Sequence, residues 1–205
     1  MLREIRLCTL IHKKVNELNI YLLSIGQVAK IVQNNLKKDP PLTEHGKKET
    51  ELTLKSIKQI KLNFDVIISS PGVGACQTVK MIKHLYGPDV PRALIWDELL
   101  PEGDRKRLCD KLRTFSIESS VLIIGNKSYL IQLTNEIISN NSRNMKADVY
   151  LKSNSLAKLK IRSLQKFKGE LRWLLSPRIL KLLSKSVNND QIQQNEILIQ
   201  QRCKR

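Results

Sequence analysis

Short runs of hydrophobic residues recur along the chain, and longer polar, lysine-rich segments separate them. Each run is only four or five residues long and is followed by turn-forming or polar residues, which is typical of a strand buried on both faces of a sheet. The pattern therefore predicts four strands, at 19–23, 64–68, 93–96 and 121–125, of which the first two look buried.

The segments between these runs repeat apolar residues every three or four positions, which is the spacing of an amphipathic helix. Thr43 opens the first predicted helix, with an apolar stripe that includes Leu52, and a second helix starts at Val73. Asp104 is placed to cap a third helix, and 130–138 has the pattern of a fourth. Strands that alternate with helices predict an α/β three-layer sandwich, with a mostly parallel sheet and helices on both faces.

The last third of the chain is patterned differently. Residues 148–151 and 156–161 look like a hairpin around Asn154, and 171–183 predicts an amphipathic helix interrupted at Pro177. The resulting organisation is one domain over 19–185. It is flanked by a basic N-terminal extension with helical spacing (1–18) and by a polar, Asn/Gln-rich tail that we expect to be mobile (186–205).

Size and composition fit a single globular domain. The chain has 205 residues, of which 41% are hydrophobic and 27% charged, so it can bury a core. No apolar run approaches the ~20 residues of a membrane-spanning helix, and none near the N-terminus has the length of a secretory signal. The expected location is the cytoplasm. The four scattered cysteines indicate free thiols rather than disulfides or a zinc site, and no metal or cofactor is predicted.

The net charge of +17 suggests a polyanion-binding protein as an alternative. However, lysine outnumbers arginine by 24 to 12, and isoleucine and asparagine are also frequent, which is the composition that an AT-rich coding sequence produces. Only nine residues are aromatic, too few to suggest a base-stacking surface. We therefore expect the lysines to be spread over helix surfaces such as 47–61 and 152–168, without specific nucleic-acid binding.

Several short motifs occur in a fixed order. LTEHG at 42–46 is followed by SSP at 69–71 with QT at 77–78, then by LPEGD at 100–104 and by GELRW at 169–173. This series resembles the histidine phosphatase superfamily, and in particular the bacterial phosphohistidine phosphatases of the SixA type. The resemblance extends over about residues 19–183 and implies the phosphoglycerate mutase-like fold of that superfamily.

The resemblance also implies four catalytic groups. In the family, a histidine after the first strand accepts the phosphoryl group. Two arginines, one just before that histidine and one in the SSPxxR turn, hold the phosphate oxygens, and a second histidine after the fourth strand stabilises the transferring group. The corresponding positions of this chain lack all four side chains, because they hold Ser24, Ile25, Gly74 and Asn126.

The absence of these histidines and arginines does not depend on how the chain is aligned with the family. No arginine occurs between Arg6 and Arg92, and the three histidines (His12, His45 and His84) follow none of the predicted strands. His45 lies inside the LTEHG motif, where we expect an exposed residue in the first turn of a helix.

Possible substitutes are few. Ser24 neighbours the missing histidine, but adjacent strand residues point to opposite faces. Cys76 lies near a helix N-terminus without the arginine that cysteine phosphatases need. The remnant of a phosphate pocket would comprise Gly26, Ser69, Ser70 and Asn126. The side chains of the last three could donate to an anion or merely form turns and caps. Asp104 is placed as a cap rather than as an acid catalyst.

These observations predict a degenerate SixA-type phosphohistidine phosphatase homologue that is catalytically inactive and has at most a binding or scaffolding role. The resemblance implies phosphohistidine-bearing signalling proteins as partners. Two alternatives stay open: an active phosphohistidine phosphatase that uses unrecognised residues, and a basic polyanion-binding protein. The sequence does not indicate an oligomeric state.

Overall fold

Six strands form one sheet in the computed structural model, which describes residues 18–29, 39–115, 119–139 and 149–186. The strands are β1 (Leu18–Ser24), β2 (Val66–Ser69), β3 (Arg92–Ile95), β4 (Ser120–Gly125), β5 (Leu156–Ser163) and β6 (Lys168–Leu175). Their order across the sheet is β3-β2-β4-β1-β5-β6. The first four are mutually parallel, and β5 and β6 extend the sheet by antiparallel pairing. The predicted mostly parallel sheet is confirmed.

A helix follows each of the four parallel strands, and a further helical segment follows β6. The helices are α1 (Glu44–Gln59), α2 (Val73–Tyr86), α3 (Arg105–Leu112), α4 (Lys127–Ile138) and the last helical segment, α5, over 177–186. Over the described residues, none of them is both long and apolar enough to cross a membrane. The predicted caps are observed: the Thr43 hydroxyl accepts from the Gly46 amide, and the Asp104 carboxylate accepts from the first turn of α3.

The core divides into two layers, one on each face of the sheet. In β1, Ile20 and Leu22 pack towards α3 and α4, whereas Tyr21 and Leu23 pack towards α1 and α2. β4 alternates in the same way, as expected for strands buried on both faces. Helices thus cover both faces, and the predicted three-layer α/β sandwich is confirmed.

The predicted helix over 171–183 is wrong in its first half, because residues 168–175 form the edge strand β6 and helix begins only at Pro177. The register explains the error. Lys158 pairs with Trp173 and Leu159 with Leu171, so Arg172 is an extra residue in the strand. Such a bulge reverses the alternation of side chains. Leu171 and Leu174 therefore face the same layer, and their spacing of three imitates a helix.

Three smaller expectations also need correction. Residues 149–152 are not a strand, so no hairpin forms around Asn154, although Asn154 does adopt the left-handed conformation of a turn (φ 58°). The hairpin partner of β5 is β6. Leu52 is 49% exposed and does not belong to the buried stripe of α1. Leu18 begins β1 rather than ending an extension; residues 1–17 and 187–205 lie outside the described residues.

One ion pair links α3 to the segment after β3. The Glu98 side chain is only 10% exposed and accepts from Lys111 Nζ at 2.7 Å. The hydrogen bond from Lys111 holds the pKa of Glu98 below its ordinary value. Because the folded-state pKa is lower than the unfolded one, this pair stabilises the fold above the unfolded pKa, and its contribution disappears as the pH falls through the folded pKa.

Lys111→Gln is therefore expected to lower the free energy of unfolding by about 1 kcal/mol at pH 7, and by much less at pH 3. Urea unfolding at the two pH values measures the change. Lys55→Gln is the control, because Lys55 pairs with Glu51 across one exposed turn of α1 and such pairs contribute only ~0.3–0.5 kcal/mol. A Lys111→Gln effect that is equal at both pH values would contradict the assignment to this ion pair.

Candidate functional site

A cavity of about 430 Å³ lies at the carboxyl ends of the parallel strands, where open α/β sheets bind their ligands. Ile25 follows β1, Asn126 follows β4, and Gly74 lies in the first turn of α2. All three line this cavity, together with Ser70. The structure thus brings together residues that are far apart in the sequence.

Ser24 does not line the cavity. It is fully buried, and its hydroxyl donates to the Lys152 carbonyl at 2.6 Å and accepts from the Ser155 amide at 3.1 Å. These bonds attach the turn before β5 to the end of β1. The Ser24 side chain points away from the cavity that its neighbour Ile25 lines, as the alternation of side chains in a strand requires. Ser24 is therefore not a nucleophile for this cavity.

Apolar side chains occupy the side of the cavity formed by β1 and α2. A Cβ atom built on Gly74 would lie 3.4 Å from Ile25 Cδ1 and 3.3 Å from Val28 Cγ1. Ile25 therefore packs directly over the backbone of Gly74. A long side chain at position 74 would have to displace these two residues, so the replacements at 25 and 74 are sterically linked.

The polar residues at the strand ends make local hydrogen bonds. Ser69 Oγ donates to the Ser70 carbonyl, Ser70 Oγ accepts from the Gly72 amide, and Asn126 Oδ1 accepts from the Ser128 amide at 2.8 Å. Asn126 is thereby the N-cap of α4. In these bonds the three side chains form turns and a helix cap, while Ser70 and Asn126 also line the cavity.

The charges in the cavity are negative. Asp39 and Glu102 line it, and no Lys, Arg or His is among its lining residues within the described part of the chain. Asp39 Oδ2 accepts from the Val73 amide at 2.7 Å, so a carboxylate of the chain itself takes the first free N–H group of α2. The N-terminus of a helix attracts anions, and here Asp39 supplies that anion.

Asp39 and Glu102 were not recognised as site residues from the sequence. The segment that joins β1 to α1 must start at the carboxyl end of β1, and the segment after β3 starts at the same edge. This topology was a usable signal for both residues. What the sequence could not show is that the Asp39 side chain turns back onto α2, 34 positions further along the chain.

The other candidate residues lie outside the cavity. Cys76 Sγ contacts the Pro71 carbonyl at 3.3 Å, and Asp104 caps α3 through the Lys106 and Arg107 amides. His45 is exposed in the first turn of α1, and His84 is exposed on α2; His12 lies outside the described residues. No three His, Cys, Asp or Glu side chains of the described segments are close enough together to hold a metal ion.

The motif residues around LTEHG attach α1 to the end of β1. Thr43 N donates to the Gln27 carbonyl at 2.9 Å, and Gln77 Oε1 accepts from the Leu42 amide at 2.8 Å. A Cβ atom on Gly46 would lie only 2.2 Å from the Gln27 carbonyl oxygen. Gly26 is equally confined, with Thr50 Oγ1 at 2.6 Å from its built Cβ. These motif positions have a structural role that is independent of any chemistry.

No protein-family model and no curated protein matches the sequence. Solved structures do match. The protein histidine phosphatase SixA complexed with tungstate superposes with a TM-score of 0.66 at 22% identity, over 80% of this chain and 99% of that one. A putative SixA from Agrobacterium tumefaciens gives 0.62 at 18% identity, over 78% and 97%. A phosphoglycerate mutase from Bacillus anthracis gives 0.60 at 12% identity, over 83% and 98%. These neighbours confirm the histidine phosphatase fold.

Proposed function

We propose that this chain, with its histidine phosphatase fold, is a SixA-type relative that no longer transfers phosphoryl groups and serves at most as a binding or scaffolding protein. The observation that carries the proposal is the content of the cavity at the strand ends. Ile25, Gly74 and Asn126 line it, with two carboxylates and with no cation from the described residues.

Covalent catalysis needs a nucleophile with a lone pair. At the end of β1, the side chain that faces the cavity is the hydrocarbon of Ile25, and the neighbouring Ser24 hydroxyl is engaged on the other side with the turn at 152–155. Cys76 directs its thiol to backbone carbonyls behind the cavity. Neither group is placed to attack a phosphoryl group bound at the strand ends.

Phosphoryl transfer also needs positive charge around the transferring group. The cavity provides neutral donors and the carboxylates Asp39 and Glu102, which would repel a phosphate dianion. Asp39 already occupies the N-terminus of α2. A partner recognised at this site would therefore not be recognised through a phosphoryl group, and binding to phosphohistidine-bearing proteins would have to use their unmodified surface.

The test is oxyanion binding at the cavity, followed residue by residue. In ¹H–¹⁵N spectra of labelled protein, millimolar tungstate is expected to leave the amide signals of Val73, Gly74 and Asn126 unchanged. Potassium chloride at equal ionic strength is the control. Saturable shifts of these three amides with tungstate would contradict the proposal, because they would place an oxyanion at the carboxyl ends of the strands.

A further inference from the structure

A second cavity, of about 470 Å³, lies between α3, α4 and the turn that joins β5 to β6. Five basic side chains line it, because the fold brings three separate segments to one concavity, which we call the basic cleft. Its cations are Arg105, Lys106, Arg113, Lys166 and Lys168. The expectation that the surplus lysines are spread over helix surfaces stays a prediction, since only three of these five side chains are lysines.

Three of the five cations are fixed by contacts within the protein. Arg113 forms an ion pair with Asp110 and donates to two carbonyls of the β5–β6 turn, including that of Leu164 at 2.7 Å. Lys168 Nζ donates to the Glu136 carbonyl at 2.6 Å, and Arg105 Nε pairs with the Glu136 carboxylate at 2.6 Å. These bonds hold the walls of the cleft together. The carboxylates of Glu136 and Asp110 offset the charges of Arg105 and Arg113, whereas Lys168 bonds a carbonyl and keeps its positive charge in place.

The remaining two cations of the cleft are Lys106 and Lys166. Both are exposed, and no acidic side chain of the described segments pairs with either. Glu136 is the one carboxylate among the described lining residues, and it already forms an ion pair with Arg105. Like charges gathered in a concave surface raise the local positive potential, and this potential favours a multiply charged anion.

The geometry points to the basic cleft as a binding site for a small anion that carries a chain of two or more phosphoryl groups. The volume is within the ~300–1,000 Å³ of small-molecule sites. Phosphoryl oxygens accept strong charge-assisted hydrogen bonds from ammonium groups. A nucleic acid fits less well, because the aromatic residue in the lining, Phe167, is 4% exposed and offers no face for base stacking.

The basic cleft does not depend on the proposed function of the cavity at the strand ends, and it is tested by a different measurement. Titration calorimetry with inorganic tripolyphosphate at 150 mM salt is expected to show saturable binding with one anion per chain. The double variant Lys106→Gln/Lys166→Gln should weaken it about a hundredfold, since each of the two removed charge-assisted contacts is worth about a factor of ten.

A charge-matched control is available on the other face of the sheet. Lys48 and Lys80 are exposed on α1 and α2, and Lys48→Gln/Lys80→Gln lowers the net charge by the same amount. This control should bind as the unmodified chain does, and both double variants should melt within a few degrees of it because all four side chains are exposed. ADP in place of tripolyphosphate distinguishes a nucleotide from an inorganic source of the same phosphoryl chain.

Three results would overturn the inference. They are no saturable binding of either phosphate compound, equal weakening by the two double variants, and tighter binding of duplex DNA or heparin than of tripolyphosphate. Equal weakening would indicate a diffuse effect of net charge, and preference for a long polyanion would indicate a macromolecular surface rather than a cleft. Tungstate shifts at the strand ends would refute the proposed function and leave the basic cleft intact.

Discussion

Purified protein is expected to release phosphate from a phosphohistidine protein no faster than the uncatalysed reaction. Ile25 has no lone pair to form a phosphoenzyme, and the described lining of the cavity holds two carboxylates and no cation, whereas developing negative charge needs cations. Loss of a single electrostatic donor typically lowers a rate by about 10²–10³, or ~2.7–4 kcal/mol of barrier. Losses within one catalytic unit are not additive, so the expected rate is the background rate rather than a product of factors.

A SixA enzyme assayed on the same substrate is the positive control. Asn126→Ala should change nothing in this chain beyond a small loss of helix-cap stability, and Cys76→Ser should also leave the background rate unaltered. Phosphate release above background that either substitution abolishes would show that the site works with residues other than the expected ones. Release that survives both would indicate a contaminating phosphatase, which an independently purified sample would identify.

The motif residues that are present and those that are replaced differ in what they contact. Thr43 caps α1, Gly46 permits the close approach to Gln27, and Gln77 accepts from the Leu42 amide. The close approach of Gly46 to Gln27 joins α1 to the segment after β1, and the Gln77 bond joins α2 to the residue before the α1 cap. The replaced positions Ile25 and Gly74 instead line the cavity and take no part in these caps and attachments. A change of residue at the cavity is therefore compatible with the contacts that hold the fold.

The sequence predicted the central strands and helices correctly because their patterns are set by local burial. Buried parallel strands form unbroken apolar runs, and their helices carry visible caps such as Asp104. The edge strand β6 was missed because a bulge at Arg172 shifts its alternation. A bulge depends on pairing with β5, and periodicity within one segment cannot show it.

The features of the candidate site also divide into those that the sequence could predict and those that it could not. The positions at the strand ends could be identified because topology alone brings Ile25, Gly74 and Asn126 to one edge of the sheet. The hydrogen bond between the Asp39 carboxylate and the Val73 amide of α2 depends on how a loop folds back. The basic cleft depends on the packing of α3, α4 and the β5–β6 turn against one another. Both are tertiary features, which neither charge totals nor local spacing could predict.

Gly46→Ala is expected to be among the most destabilising single-methyl changes in the chain, and two opposing effects decide this. Alanine is favoured over glycine within a helix by ~1 kcal/mol. Against this, the new Cβ would lie 2.2 Å from the Gln27 carbonyl oxygen, which also accepts from Thr43 N and Thr43 Oγ1. Backbone must move and those bonds must lengthen, so overpacking dominates. We expect a net loss of about 3 kcal/mol and a melting temperature ~6–12 °C lower.

Gly125→Ala is the matched control, since it also adds one methyl group to a buried glycine, here the last residue of β4. A Cβ atom on Gly125 would have Leu130 Cδ2 as its nearest neighbour at 3.6 Å, an ordinary van der Waals contact, so the melting temperature should change by less than about 2 °C. Thermal unfolding followed by circular dichroism measures both variants. Equal melting temperatures for the two would mean that α1 can move away from Gln27 at little cost. The LTEHG segment would then not be the rigid attachment of α1 to β1 that its contacts indicate.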